Sequence, residues 1–187
     1  KEAQADPRLR YTGQSSLSRF YGRGRIDHPD NGFYNFQTQF FDQLCHDWSY
    51  TADKEMEKLL RQALELHLEW IKDCFDPDGN HVFESYLNTW ATDSQWYNGG
   101  DSVEETAYAY RAHITAMKMA ERAGDTISAE KHRREAEKIR KALTDVLWVE
   151  GSGHMAAYRE QGGHQRLHED QWLPGIFLPI DFDMLTT

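Results

Sequence analysis

Cysteine is scarce. The 187-residue chain has two, Cys45 and Cys74, too few for a disulfide scaffold, and the pair leaves the redox compartment open. No apolar run approaches the roughly 18 residues of a membrane-spanning helix. The opening KEAQADPRLR holds no apolar stretch of the kind a secretory leader carries. Basic residues are outnumbered, 21 against 31 acidic, so the formal charge is −10. Phosphate-backbone binding draws on Lys and Arg to release counterions. The longest basic feature, Lys131–Lys141, is interleaved with Glu, and nucleic acid is not expected as the main partner. Hydrophobic residues make up 39%, below the usual average of about 45–50%, yet an aromatic share of 13% argues against disorder.

Chemical motifs are also missing. The sequence has no G-x-S-x-G, Walker or dinucleotide fingerprint. Its nine His residues include no H-E-x-x-H and no HxH pair, so no zinc site is expected. Asp76-x-Asp78-Gly79 begins like a calcium loop, but Ser85 stands where an EF-hand needs its bidentate Glu; a turn is expected instead. The two thiols have no legible Cys–His–Asn arrangement and read as buried side chains. No cofactor and no metal are expected.

What is present is helical periodicity. Residues 1–32 read as irregular, with Gly13, Gly22, Gly24, Pro29 and a turn at Asp30-Asn31-Gly32. From Phe33 to Tyr50, Phe36, Phe40, Leu44 and Trp48 recur at helical spacing. The clearest amphipathic stripe runs from Asp53 to Cys74, through Leu60, Leu64, His67 and Ile71. Thr51 or Asp53 can cap it. The short link between these helices predicts an antiparallel hairpin. A third helix is expected over Val103–Ala123, opened by a Ser102-x-x-Glu105 capping box and apolar on most sides. A fourth, Ser128–Trp148, has one charged face and is expected to lie over the third. Residues 149–187 are loop-rich, with a small β-hairpin expected from His154–Tyr158 and His164–Leu167, and an apolar end, Trp172–Met184, without a complete helix. The whole reads as one all-α domain, with two helical hairpins over residues 33–148.

The two hairpins look like repeats. Asn31-Gly32 precedes the first and Asn98-Gly99 the second, 67 residues later. Layered helical units need neighbours to bury their apolar faces. A closed ring of hairpins would therefore be represented here only in part, its open ends meeting the rest of the ring or another copy of the chain. The competing architecture is a four-helix domain with loop-rich flanks.

Chemistry concentrates in residues 76–105. Glu84, Asp93, Asp101, Glu104 and Glu105 crowd together with Trp90, Trp96, Tyr97 and Asn98 among them. Crowded carboxyls raise one another's pKa, and aromatic neighbours add desolvation. A carboxyl that keeps its proton near neutral pH can act as a general acid, with a second carboxylate as base or nucleophile. Indole and phenol rings offer flat platforms for sugar C–H faces. Glu104, Glu105 and Asp101 have a structural alternative, since negative charge is stabilised at a helix N-terminus. A second acidic patch, Glu169, Asp170 and Trp172, would face the first if successive long loops gather at one end of a ring.

The stretch Glu84-Ser-Tyr-Leu-Asn-Thr-Trp-Ala-Thr-Asp-Ser-Gln-Trp-Tyr-Asn-Gly-Gly, followed by Ser102-Val-Glu-Glu-Thr-Ala-Tyr-Ala-Tyr, resembles a loop and inner helix of the six-hairpin glycosidases. The nearest likeness is to a bacterial branch related to glucosidase-I-like and amylo-glucosidase-like enzymes. The resemblance spans residues 76–148. It implies part of an (α/α)6 toroid, and a cleft at one end of it where two carboxylates cleave the glycosidic bond of an oligo- or polysaccharide. It also implies Glu84 and Asp93 as site carboxylates, Trp90, Trp96, Tyr97 and Asn98 as sugar contacts, and a periplasmic or secreted location, with the cytoplasm as the alternative. Asp101-Ser102 departs from the small residues expected after the Gly pair. With Glu104 as a third candidate catalytic carboxylate, the expected activity is glycoside hydrolysis. The alternatives are a non-catalytic carbohydrate-binding or helical scaffold module, and a toroidal polysaccharide lyase or epimerase.

Overall fold

The structure is a computed structural model that describes residues 35–51, 53–85, 88–89, 95–96, 100–171 and 173–185; for 35, 36, 88, 89, 95 and 96 it describes the backbone alone. Five helices hold 65% of the described residues, which makes the chain mainly α, with small antiparallel sheets. Among the described residues no helix is long and apolar enough to cross a membrane.

Helix α1 spans Asn35–Tyr50 and α2 spans Lys54–Phe75. Asp53 caps α2, its carboxylate accepting from the N–H groups of Glu55 and Met56 at 2.9 and 3.1 Å, a contribution of about 1 kcal/mol. The α2 stripe buries Leu60, Leu64, His67, Leu68 and Ile71. The two helices form the expected hairpin. Near its turn Trp48 Nε1 donates to Glu57 at 2.9 Å, and farther out Phe41 stacks on His67 with centroids 4.1 Å apart.

Helix α3, Val103–Arg122, buries 13 of its 20 residues, as its nearly all-round pattern requires. Helix α4, Thr126–Leu147, folds back over it and buries one stripe, Ala129, His132, Ala136, Ile139, Leu143 and Leu147. Its outer face carries ion pairs such as Arg134–Glu130 and Lys138–Glu135, both at 2.7 Å.

The hairpins stack in register. Between α1 and α3, Thr38 meets Glu105, Asp42 meets Arg111 and Cys45 meets Thr115, at separations of 67, 69 and 70 residues. Between α2 and α4, Arg61 meets Asp125 and Glu65 meets His132, at 64 and 67 residues. A nearly constant separation means that α1 lies parallel to α3, and α2 parallel to α4.

The end of the chain departs from expectation, because a fifth helix, α5, spans Leu173–Asp181. Pro174 sits in its first turn, where a missing N–H costs nothing. Gly175 lets it approach α3, since a β-carbon there would lie 3.4 Å from the Val103 β-carbon. Phe182, just past α5, packs on Tyr108 and Arg111 of α3. These contacts fall 71 to 74 residues apart, so α5 continues the series α1, α3, α5.

The segment expected to be a loop, 76–100, is partly strand. β1 (Glu84–Ser85), β4 (Gly100–Ser102), β7 (Tyr158–Glu160) and β8 (Leu167–His168) form one antiparallel sheet in that order. β2 (Asn88–Thr89) pairs with β3 (Gln95–Trp96), and β5 (Trp148–Val149) with β6 (His154–Met155). The expected C-terminal hairpin is thus split, its first stretch divided between β6 and β7. Gly100 is required, since a β-carbon there would sit 2.2 Å from the Arg159 carbonyl oxygen.

Candidate functional site

The acidic cluster forms where the sheet runs into α3. Ser102 ends β4 and caps α3, its hydroxyl accepting from the Glu105 N–H at 3.4 Å. Thr106 ties the strands to the helix. Its hydroxyl accepts from the Phe83 N–H at 2.8 Å and donates to the Ser102 carbonyl at 2.7 Å. Four carboxyl residues are thereby buried together: Glu84 and Glu104 are 1% exposed, Asp101 2% and Glu105 3%.

Directly opposed residues of antiparallel strands point to the same face. Glu84 is opposite Asp101, and Asp101 opposite Arg159, so one sheet face carries acid, acid, base in a row. Arg159 donates to Asp101 Oδ2 from Nε at 3.1 Å and from Nη2 at 2.5 Å. Asn80 Nδ2 adds a third donor at 3.2 Å. Burial raises the Asp101 pKa, and the Arg159 guanidinium opposes that rise. Asp101 is thus engaged by the protein itself.

Glu105 is in a different position. Its Oε1 accepts from the Thr38 hydroxyl of α1 at 3.5 Å. Burial first, and the neighbouring Glu104 second, push its pKa well above the carboxylate range. The Tyr108 phenol, one turn on, is raised too, by burial and by Glu104, Glu105 and Asp42. Asp42 on α1 is raised by burial and held down by Arg111, 3.7 Å away.

The structure therefore sets Glu84 beside Asp101, with Glu104 buried in the first turn of α3 just after β4. Glu169 and Asp170 are exposed and follow β8, at the far edge of the same sheet. Three strand spacings, roughly 14 Å, separate that edge from Glu84. Asp93, Trp90, Tyr97, Asn98 and Trp172 lie outside the described residues, as does the side chain of Trp96. Sequence reasoning missed Arg159 and Thr106, for which no motif exists. It also assigned Glu105 chiefly to capping, although the adjacent Glu104 was a readable signal for a raised pKa.

The turn expected at Asp76-x-Asp78-Gly79 is present, the Gly79 N–H donating to the Asp76 carbonyl at 3.2 Å. Asp76 Oδ1 accepts from the His81 N–H at 3.1 Å, and Asn80 Oδ1 from the Val82 N–H at 2.7 Å. Among the described residues no group of His, Cys, Asp and Glu is arranged to hold a metal ion. A surface groove of about 560 Å³ lies at the opposite end of α3, lined by Lys54, Lys58, Arg61 and Glu65 of α2 together with Ala123 and Ser128. Along the helix axis Ala123 is roughly 28 Å from Glu104. In comparisons with known proteins, no family model and no curated protein matches this chain.

Proposed function

We propose that this chain is part of the catalytic domain of a glycoside hydrolase built on a toroid of helical hairpins. The observation that carries the reading is the Glu104–Glu105 pair at the head of the central helix. Two adjacent buried carboxyls resist ionising together, and burial with Glu104 alongside raises the Glu105 pKa. A crowd of buried carboxyls, in which one neighbour resists ionising, is the setting that acid-assisted cleavage of a glycosidic bond draws on. The repeated separation of α1, α3 and α5 supports a layered ring whose inner helices are parallel. The candidate catalytic carboxylates are Glu84, Glu104 and Asp93. Glu105 acts as a positioning residue that withholds a second charge from Glu104. The substrate is an oligo- or polysaccharide, and the periplasm or the cell exterior is the proposed setting.

In such a reaction the acid protonates the departing glycosidic oxygen. A carboxylate either activates the attacking water or attacks the anomeric carbon itself, according to carboxyl spacing. The test is release of sugar from a panel of aryl glycosides and oligosaccharides by the whole chain. Glu84→Gln and Glu104→Gln are each expected to cut turnover by about 10²-fold or more while the far-UV circular dichroism stays unchanged. Full turnover in both variants would overturn the reading, and so would an inert wild type.

A second reading rests on the near-complete burial of the same acids, at 1–3% exposure. Buried acids at a helix N-terminus fit a structural role, and the chain is then a sugar-binding or scaffold module. Glycan binding without turnover, measured by calorimetry, supports it.

A further inference from the structure

A second, partly buried polar system crosses the middle of the molecule, away from the acids. His113 Nδ1 of α3 lies 3.0 Å from His132 Nδ1 of α4. His132, 1% exposed, places its Nε2 at 2.7 Å from Glu65 Oε1 of α2. Lys131 Nζ reaches Glu65 Oε2 at 2.9 Å. The chain thus links three helices drawn from both hairpins and ends in the groove that Glu65 lines.

Hydrogen-bond counting constrains its charge. Two ring nitrogens at 3.0 Å share a single hydrogen, so one donates and the other accepts. His132 Nε2 must carry a hydrogen to meet an ionised carboxylate. In the neutral chain His113 donates to His132, and His132 donates to Glu65. One added proton fits, on His113 Nε2, with the hydrogen between the rings then carried by either Nδ1. A second would set two N–H groups face to face.

We propose that Glu65, His132 and His113 form a one-proton latch between the two hairpins, which holds with at most one added proton and opens when a second arrives. The charges acting on the latch come from the helices packed around it. On α4 they are Lys131 and Glu135, and on α2 Glu65 itself and His67. α1 contributes the neutral amide of Gln37, whose Nε2 donates to His67 Nδ1 at 3.0 Å. Burial and the facing His132 depress His113 to about 3. The His132 bond leads in holding Glu65 at about 2. Stability tied to His113 is therefore present above about 6.5, its unfolded value, and declines as the pH falls towards 3. That of Glu65 is lost below its unfolded 4.5.

The test is imidazole-nitrogen NMR on the whole chain between pH 8 and 2, with amide hydrogen exchange followed in α2 and α4. At pH 8 His132 is expected as the Nε2–H form and His113 as the Nδ1–H form. On acidification, exchange in α2 and α4 is expected to quicken in step with the second histidine protonation. Independent titration of both rings near 6.5, with exchange unchanged, would overturn the latch. Glu65→Gln removes the charge that holds the first proton, so opening should move to higher pH. His113→Gln removes a protonation site and should move it lower. A wild-type midpoint in both variants would also overturn the proposal. If either variant does not fold, the wild-type nitrogen titration decides alone.

Discussion

The two polar systems on α3 handle protons in opposite ways. At its N-terminus Glu105 is buried beside Glu104, and burial raises its pKa, favouring the form that keeps the proton. At its middle His113, with His67 beside it on α2, is buried among weaker partners, and burial strips the proton off. The physical cause, desolvation of the charged form, is the same. The outcome differs because the charged form of an acid lacks the proton and the charged form of histidine holds it. Stability should therefore fall at both pH extremes, and each limb should belong to a different part of the same helix.

The strongest way to break the acidic end is to remove the cation paired with Asp101. Arg159→Met leaves Asp101 buried and opposite Glu84 without a counter-charge. Losing one partner of a buried pair costs about 3–5 kcal/mol, and about 3 is expected here because the Arg159 side chain is 29% exposed. Chemical denaturation at pH 7 measures it. Asp101→Asn should recover part of the loss in the double variant.

Gly100→Ala attacks the sheet that carries the same row. The new methyl meets the Arg159 carbonyl and the Gln161 amide of β7 and its continuation, so the strands must part. Overpacking of this kind costs about 1–3 kcal/mol, read as a lower denaturation midpoint with the helical signal kept.

The two pH limbs are separable. The folded pKa of Glu105 lies above the unfolded 4.5. Its contribution is therefore complete below 4.5 and declines as the pH rises. Glu105→Gln fixes the neutral form, so it should raise Tm at pH 8 and flatten the alkaline limb. His67 is depressed to about 3 by burial, so its contribution declines as the pH falls from 6.5. His67→Phe, which keeps the stack on Phe41, should flatten the acid limb and leave the alkaline limb alone. Thermal melts from pH 4 to 9 check both.

The smallest effect is a control that touches neither region. Asp53→Ala removes the α2 cap and should cost about 1 kcal/mol, or roughly 2–4 °C in Tm.

Local signals in the sequence located most of the helices. The stripes of α2 and α4 and the caps at Asp53 and Ser102 are short-range features, and these elements begin and end within two residues of the expected positions. The expected repeat of 67 residues reappears as the separation between Thr38 and Glu105 and between Glu65 and His132. Helix α5 escaped because Pro174, Gly175 and Pro179 break helical propensity, and packing on Val103 and Tyr108 overrides it. The strands within 84–102 escaped because two- and three-residue strands carry no alternation to read. The acid-rich composition of the candidate site was legible. The Asp101–Arg159 pair and the histidine chain were not, because their partners stand 58 and 19 residues apart and only the fold brings them together.

The proton on Glu105 is the feature on which the acidic end depends. Carbon-13 NMR of its side-chain carboxyl, titrated from pH 3 to 9 in the whole chain, observes it directly. A midpoint well above 4.5 is the expected result. An ordinary midpoint near 4.5 would contradict it.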